Sequence, residues 1–223
     1  MIGVMHVKKF FVAVMLSVLF VAQTALAMTF RQPVKIGEIG FPAQAPYNGF
    51  IINGATSNDG TPYREEVGNV TTYKIGTARF GELVCRYDFD ADYLDVMDFG
   101  GANDLVLSHN ASFKEIFRID GDGLTLYALY HNYCTTDLKI LGQRGGKWFV
   151  FVDSKKLSDE YFGGNDGYKL DGSIIYDVPT CAGNAIVVTY RRWHWDGDSQ
   201  PEGEFRFTWD DAAQNFNVAQ IFY

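Results

Sequence analysis

The residues best suited to chemistry lie together in Arg191-Arg192-Trp193-His194-Trp195-Asp196. In an extended strand, Trp193 and Trp195 share one face, and Tyr190, Arg192 and His194 share the other. Two indoles beside Asp196 and Asp198 make a pattern that binds sugars. Aromatic faces stack on a pyranose ring or attract a cation, and carboxylates accept hydrogen bonds from hydroxyls. Trp193, Trp195, Asp196 and Asp198 are therefore the candidate ligand-binding residues, with a carbohydrate or another envelope component as the ligand class. The same pattern also suits a plain strand whose indoles are core and whose Arg192 and His194 are wet.

Other chemistry finds less support. Asp88-x-Asp90-x-Asp92 has the opening spacing of a calcium loop, but Tyr93 stands where such a loop needs glycine and Phe99 where it needs a bidentate glutamate. Asp120/Asp122 and Asp196/Asp198 belong to Asp-Gly turns first. No Cys-x-x-Cys or His-x-x-x-His spacing occurs, so no metal site is expected, and no phosphate loop or other cofactor motif is present. There is no Gly-x-Ser-x-Gly elbow. Beyond His6, the candidate bases are His109, His131 and His194, and only His131 lies near a thiol, Cys134. With 27 acidic residues, a pair at glycosidase spacing carries no information. No catalytic residue is assigned, and the chain leans away from an enzyme.

The first 27 residues read as a secretory leader. Lys8 and Lys9 precede the apolar run Phe10 to Val21, and Ala25-Leu26-Ala27 is a small-residue cleavage pattern. The run is about a dozen residues, short of the roughly 20 that span a bilayer. An exported body of residues 28–223 is expected, periplasmic or secreted, forming a single all-β domain that is not embedded in a membrane. Of 223 residues it keeps 196, and losing Lys8 and Lys9 leaves 17 basic against 27 acidic side chains. Such an acidic body is a poor match for nucleic acid, where Lys and Arg must meet phosphates. In an oxidising compartment the three cysteines predict one disulfide and one thiol. Cys85 sits in the strand-like run Leu83–Tyr87 and reads as the buried thiol. Cys134 and Cys181 sit in loop-like contexts and are the expected pair.

Alternation at period two recurs along the chain. In Glu204–Trp209, Phe205, Phe207 and Trp209 point one way and Glu204, Arg206 and Thr208 the other. Phe113–Ile119 and Leu124–His131 flank Asp120-Gly121-Asp122-Gly123, a hairpin signal. Asp137–Leu141 and Lys147–Asp153 flank a second Gly-rich turn. The latter strand is apolar on both faces, Trp148, Val150 and Val152 against Phe149 and Phe151, and is expected at the centre of a sheet. Ser57-Asn58-Asp59-Gly60 reads as a turn. Met28 to Pro46 is weakly patterned. Residues 154–162 form the single predicted helix, with Leu157 and Tyr161 at i, i+4 and Gly163 to stop it. The fold class is all-β, an antiparallel sandwich or irregular barrel. Unequal strand spacings make a small propeller a poorer fit.

Three functions are compatible with this reading. The first is a non-enzymatic exported β-domain that binds through its loops. The second is an envelope or extracellular glycan or peptide hydrolase. The third is a structural or assembly protein that uses an exposed strand edge, with the last strand, Phe216–Tyr223, as the candidate.

Overall fold

A computed structural model describes residues 28–41, 49–64, 70–91, 93–98, 104–106, 115–132, 136–163, 173–193 and 200–223. The expected leader, Asp92, His109, Cys134, His194, Trp195, Asp196 and Asp198 lie outside the described residues. Three antiparallel sheets carry the fold. The middle sheet runs in the order β11 (Lys147–Asp153), β10 (Thr136–Arg144), β9 (Leu124–Asn132), β8 (Glu115–Gly121), β1 (Val34–Gly40), β2 (Ile51–Asn53). On one side lies β3 (Ser57–Arg64), β4 (Thr71–Phe80), β5 (Leu83–Asp88), β6 (Tyr93–Asp98), β7 (Asp104–Val106). On the other side lies β12 (Ile174–Tyr176), β14 (Ala185–Arg192), β15 (Gly203–Asp210), β16 (Asn215–Phe222), with β13 (Thr180–Ala182) also paired to β14. The sandwich expectation holds, but the sandwich is double.

The middle sheet is apolar on both faces because its strands alternate between two kinds of burial. From β9, Leu126, Ala128 and Tyr130 enter the core shared with the C-terminal sheet. Tyr127 and Leu129, pointing the opposite way, enter the core shared with the N-terminal sheet. A slip of one residue in β9 would exchange the two sets, so both cores fix the same register. The strand expected to be central, β11, lies at the edge of its sheet instead, although both of its faces are covered. Its alternation is broken by a bulge: Ile140 pairs with Val152 and Leu141 with Val150, leaving Phe151 unpaired. Val152 and Phe151 therefore both turn to the C-terminal side, while Trp148 and Val150 stay on the N-terminal side.

The helix α1 (Ser154–Phe162) follows directly from β11. Asp153 caps it, accepting the Lys155 N–H at 3.0 Å, and Gly163 ends it with φ 75°. Leu157 packs into the C-terminal-side core, and the Ser158 and Tyr176 hydroxyls share a hydrogen bond of 2.9 Å. The lead-in is more structural than its pattern suggests. Met28 and Phe30 are core residues, and the Gln32 amide brackets Cys181, donating to its carbonyl at 2.6 Å and accepting from its N–H at 3.1 Å.

Ser57 to Gly60 is strand, not turn. Gly60 and Gly76 face each other across β3 and β4, and the Tyr87 hydroxyl fills the space that a Cβ on either would need. That hydroxyl donates to Asn58 Oδ1 at 2.6 Å. The turn-forming residues are here because a tyrosine from β5 needs room, not because the chain reverses.

The expected Cys134–Cys181 disulfide is not formed: Cys181 is a free thiol. It packs in the core from β13 as a small apolar side chain, held by Gln32 on its backbone. Cys85 is likewise free and fully buried. Burial pushes the Cys85 thiol up to about 12 and the Cys181 thiol up to about 11, which suppresses the reactive thiolate of each. Alkylation of the native protein at pH 8 followed by peptide mass spectrometry should leave Cys85 and Cys181 unlabelled. Denaturant without reductant should expose both. A Cys181 that labels only after reduction would restore the disulfide.

Candidate functional site

The structure ends β14 at Arg192, one residue before the first indole. Trp193 is partly buried just beyond the strand, and its N–H donates to the Ser173 carbonyl at 2.8 Å. Its neighbours are engaged in fixed pairs. Arg191 is ion-paired with Asp177. Arg192 donates from Nε to Glu202 at 3.2 Å, and its guanidinium lies 5.9 Å from the centroid of the Phe162 ring. Of the four residues proposed for a sugar platform, Trp193 alone is among the described residues, so no indole pair is brought together within them.

Asp88, Asp120 and Asp122, from the acidic clusters, are used by the chain itself. Asp88 accepts the N–H groups of Asp90 and Ala91 at 3.0 and 3.1 Å, as an Asx turn does. Asp120 accepts from Arg118 Nε at 2.8 Å, and Asp122 accepts the Thr29 N–H at 3.4 Å. Among the described residues, no three His, Cys, Asp or Glu side chains converge as a metal site would require. His131 lies on β9 opposite Asp137, and its expected neighbour Cys134 lies outside the described residues.

The feature that stands apart is a sheet edge. The described sheets present backbone N–H and C=O groups at seven outer strands, and six of them carry a device that discourages pairing. β2, β7, β12 and β13 are three residues long. β3 has Pro62 at a break in register, and β11 begins at Lys147 and is bulged at Phe151. β16 has none of these. It is eight residues long and pairs with β15 through eight consecutive residues without a shift. From Asn215 to Tyr223 the sequence contains no charge, no proline and no glycine. Val218, Ile221, Phe222 and Tyr223 are exposed, the last two by 72% and 69%.

The pairing partners decide which backbone groups face outward. Trp209 donates to Asn184, so odd residues of β15 point to β14 and even ones to β16. The even residues Glu204, Arg206, Thr208 and Asp210 oppose Ile221, Ala219, Asn217 and Asn215. The N–H and C=O groups of Phe216, Val218, Gln220 and Phe222 therefore point away from the sheet, and no described strand pairs with them.

This edge is held rigidly from behind. Phe216 is buried, 5.0 Å from the Trp209 ring and 5.8 Å from Phe30. Gln220 donates to the Tyr190 hydroxyl at 2.9 Å, and the Tyr223 hydroxyl donates to Glu204 at 2.8 Å. Arg206, and then Tyr223, hold the Glu204 carboxyl below its ordinary range, and the same bond raises the Tyr223 phenol. At the other end, Asp210 accepts from Ala213, Asn217 and Ala212, which keeps its carboxyl low. Sequence reasoning singled out this last strand, whose lack of charge can be read directly. That it is an outer strand, and which of its groups point outward, depends on sheet order.

No family model matches the chain, and no curated protein or solved structure is detectably similar to it.

Two outcomes test how the edge is built. A Cβ on Gly203 would sit 2.7 Å from the Tyr190 hydroxyl and against the Ile221 carbonyl. Gly203→Ala should therefore destabilise the fold by about 1–3 kcal/mol in denaturant titration, because neither the buried ring nor the ladder can yield freely. The lowered Asp210 carboxyl should add stability that is present above its ordinary value of 3.8 and lost as pH falls through its folded value. Melting curves of the protein and of Asp210→Ala should thus differ at neutral pH and converge in strong acid. A gap that widens on acidification would contradict this.

Proposed function

We propose that the protein is an exported, non-catalytic recognition module that takes up an extended segment of a partner along the outer edge of β16. The observation that carries this reading is the regular, uncharged eight-residue strand whose outward backbone is unpaired among the described residues. An added strand gains main-chain hydrogen bonds from Phe216, Val218, Gln220 and Phe222, and side-chain contacts at alternate positions give it selectivity. The leader-like first 27 residues support export. The engagement of Asp88, Asp120 and Asp122 in turns and ion pairs supports a non-catalytic role over a hydrolase. Loop-borne binding of a carbohydrate is the second reading, favoured by Trp193, which is only partly buried at the end of β14.

A random octapeptide display library, panned on the protein and counter-selected on Val218→Pro, tests the choice. The Val218 N–H points outward, so proline there removes an edge donor and leaves the ladder to β15 intact. Selected peptides should be uncharged and extended and should lose about tenfold in affinity on Val218→Pro. Binders indifferent to Val218 and sensitive to Trp193→Ala would favour the loop reading. Recovery of no peptide from the edge at a concentration where the protein is a single chain would refute strand addition.

A further inference from the structure

We propose that the occupant of this edge is a second copy of the same chain, with the two β16 strands joined antiparallel about a two-fold axis at Ala219. This rests on the strand-addition reading above and names its partner. The register follows from which groups face outward. With the axis at Ala219, Val218 pairs with Gln220 of the second copy and Phe216 pairs with Phe222 of the second copy. Each of these is a hydrogen-bonded pair, because all four residues present their N–H and C=O groups outward. Four outward donors from each copy make eight hydrogen bonds, and none is left over. Moving the axis by one residue, to Val218 or Gln220, leaves part of the edge unmatched.

The side chains agree with that axis. Ala219 meets its own copy at a non-hydrogen-bonded position, where the strands come closest, about 4.5 Å between Cα atoms, and it is small. Phe222, largely exposed in one chain, comes to lie beside Phe216 of the other, whose ring belongs to the buried aromatic cluster. Ile221 falls opposite Asn217, so no two large side chains collide at the centre. The charges agree as well. Each copy is acidic, with 27 acidic against 19 basic side chains in the full chain, and two such bodies repel, but the side chains of the strand that joins them carry no charge. The contact is therefore neutral where it is closest. An isologous two-fold contact also closes the assembly at two chains, since each copy has one such edge among its described strands and uses it up.

The test is the mass of the purified protein in solution and its cross-linking. Sedimentation velocity from about 1 to about 200 μM should show one chain passing to two and going no further. Raising salt from about 0.05 to about 0.5 M should strengthen the pairing, because it screens the bodies and not the strand. Ala219→Lys sets two like charges against each other on the axis and should raise the dissociation constant by tenfold or more. At a concentration where both proteins are single chains, its melting temperature should stay unchanged, because Ala219 is exposed. Ala219→Cys should form an intermolecular disulfide under mild oxidation. Asn217→Cys should not, because its copies lie well beyond the 7 Å that a disulfide can bridge.

A protein that stays one chain throughout, with no cross-link at position 219, overturns self-pairing. If octapeptides still bind in a Val218-dependent way, strand addition survives with a foreign partner. If they do not, both readings fall. Growth beyond two chains, or faster cross-linking at 217 than at 219, overturns the two-fold register.

Discussion

The structure depends on a sheet that must be buried on both sides. Once Leu126, Ala128 and Tyr130 point one way from β9 and Tyr127 and Leu129 the other, neither face can be left to water. Burying a large apolar side chain is worth about 1.5–3 kcal/mol, so exposing either set would cost several times that. The N-terminal and C-terminal sheets exist to cover these faces, and their own inner faces are matched to them. Phe80, Leu83 and Tyr87 meet one side, and Phe205, Phe207 and Tyr190 meet the other. Each outer sheet in turn needs only one apolar face. That is why Glu204–Trp209 alternates cleanly between ring and polar group while β9 does not.

Several polar groups that enter these cores do so with partners, although the buried Trp148 indole N–H has none among the described residues. Tyr130 donates from its hydroxyl to the Tyr176 carbonyl at 3.0 Å, and the Tyr176 hydroxyl pairs with Ser158, so middle sheet, C-terminal sheet and helix are joined by one chain of bonds. Burial raises the Tyr176 phenol, which keeps it neutral and able to serve as that link. Lys139, also largely buried, meets Asp153 at 3.0 Å, and Asp153 is the residue that caps α1. One carboxylate thus neutralises a buried cation and starts a helix, which fixes where α1 lies over β10.

These devices explain what could be read from the chain. Alternation at period two exposes β9, β15 and the hairpins. The i, i+4 spacing of Leu157 and Tyr161 with Gly163 exposes the helix, because both signals are local. Three features were not legible because their causes lie elsewhere in the chain. Asn58, Asp59 and Gly60 form strand because Tyr87, from β5, needs the gap between two facing glycines. Lys147–Asp153 looks central because both its faces are apolar, but two covered faces do not require two paired edges. Cys181 looks like a loop cysteine, and only the sheet order makes it a core side chain beside Gln32. The strand edge falls between these cases. Its lack of charge is plain in Asn215–Phe222, and its outer position is not.

Packing constrains only part of that uncharged strand. On β16 the side chains of Phe216 and Gln220 turn toward the packed face, where Phe216 is buried and Gln220 reaches Tyr190, so these positions are constrained. Asn217, Ala219 and Ile221 turn the other way and are exposed, where a lysine or glutamate would cost the monomer little. Charged residues make up 21% of the chain and occupy such positions on neighbouring β15, at Glu204 and Arg206. On the outermost strand, where charge would most effectively prevent association, it is missing. On the strand-addition reading proposed above, an edge without charged side chains is one along which another strand can lie.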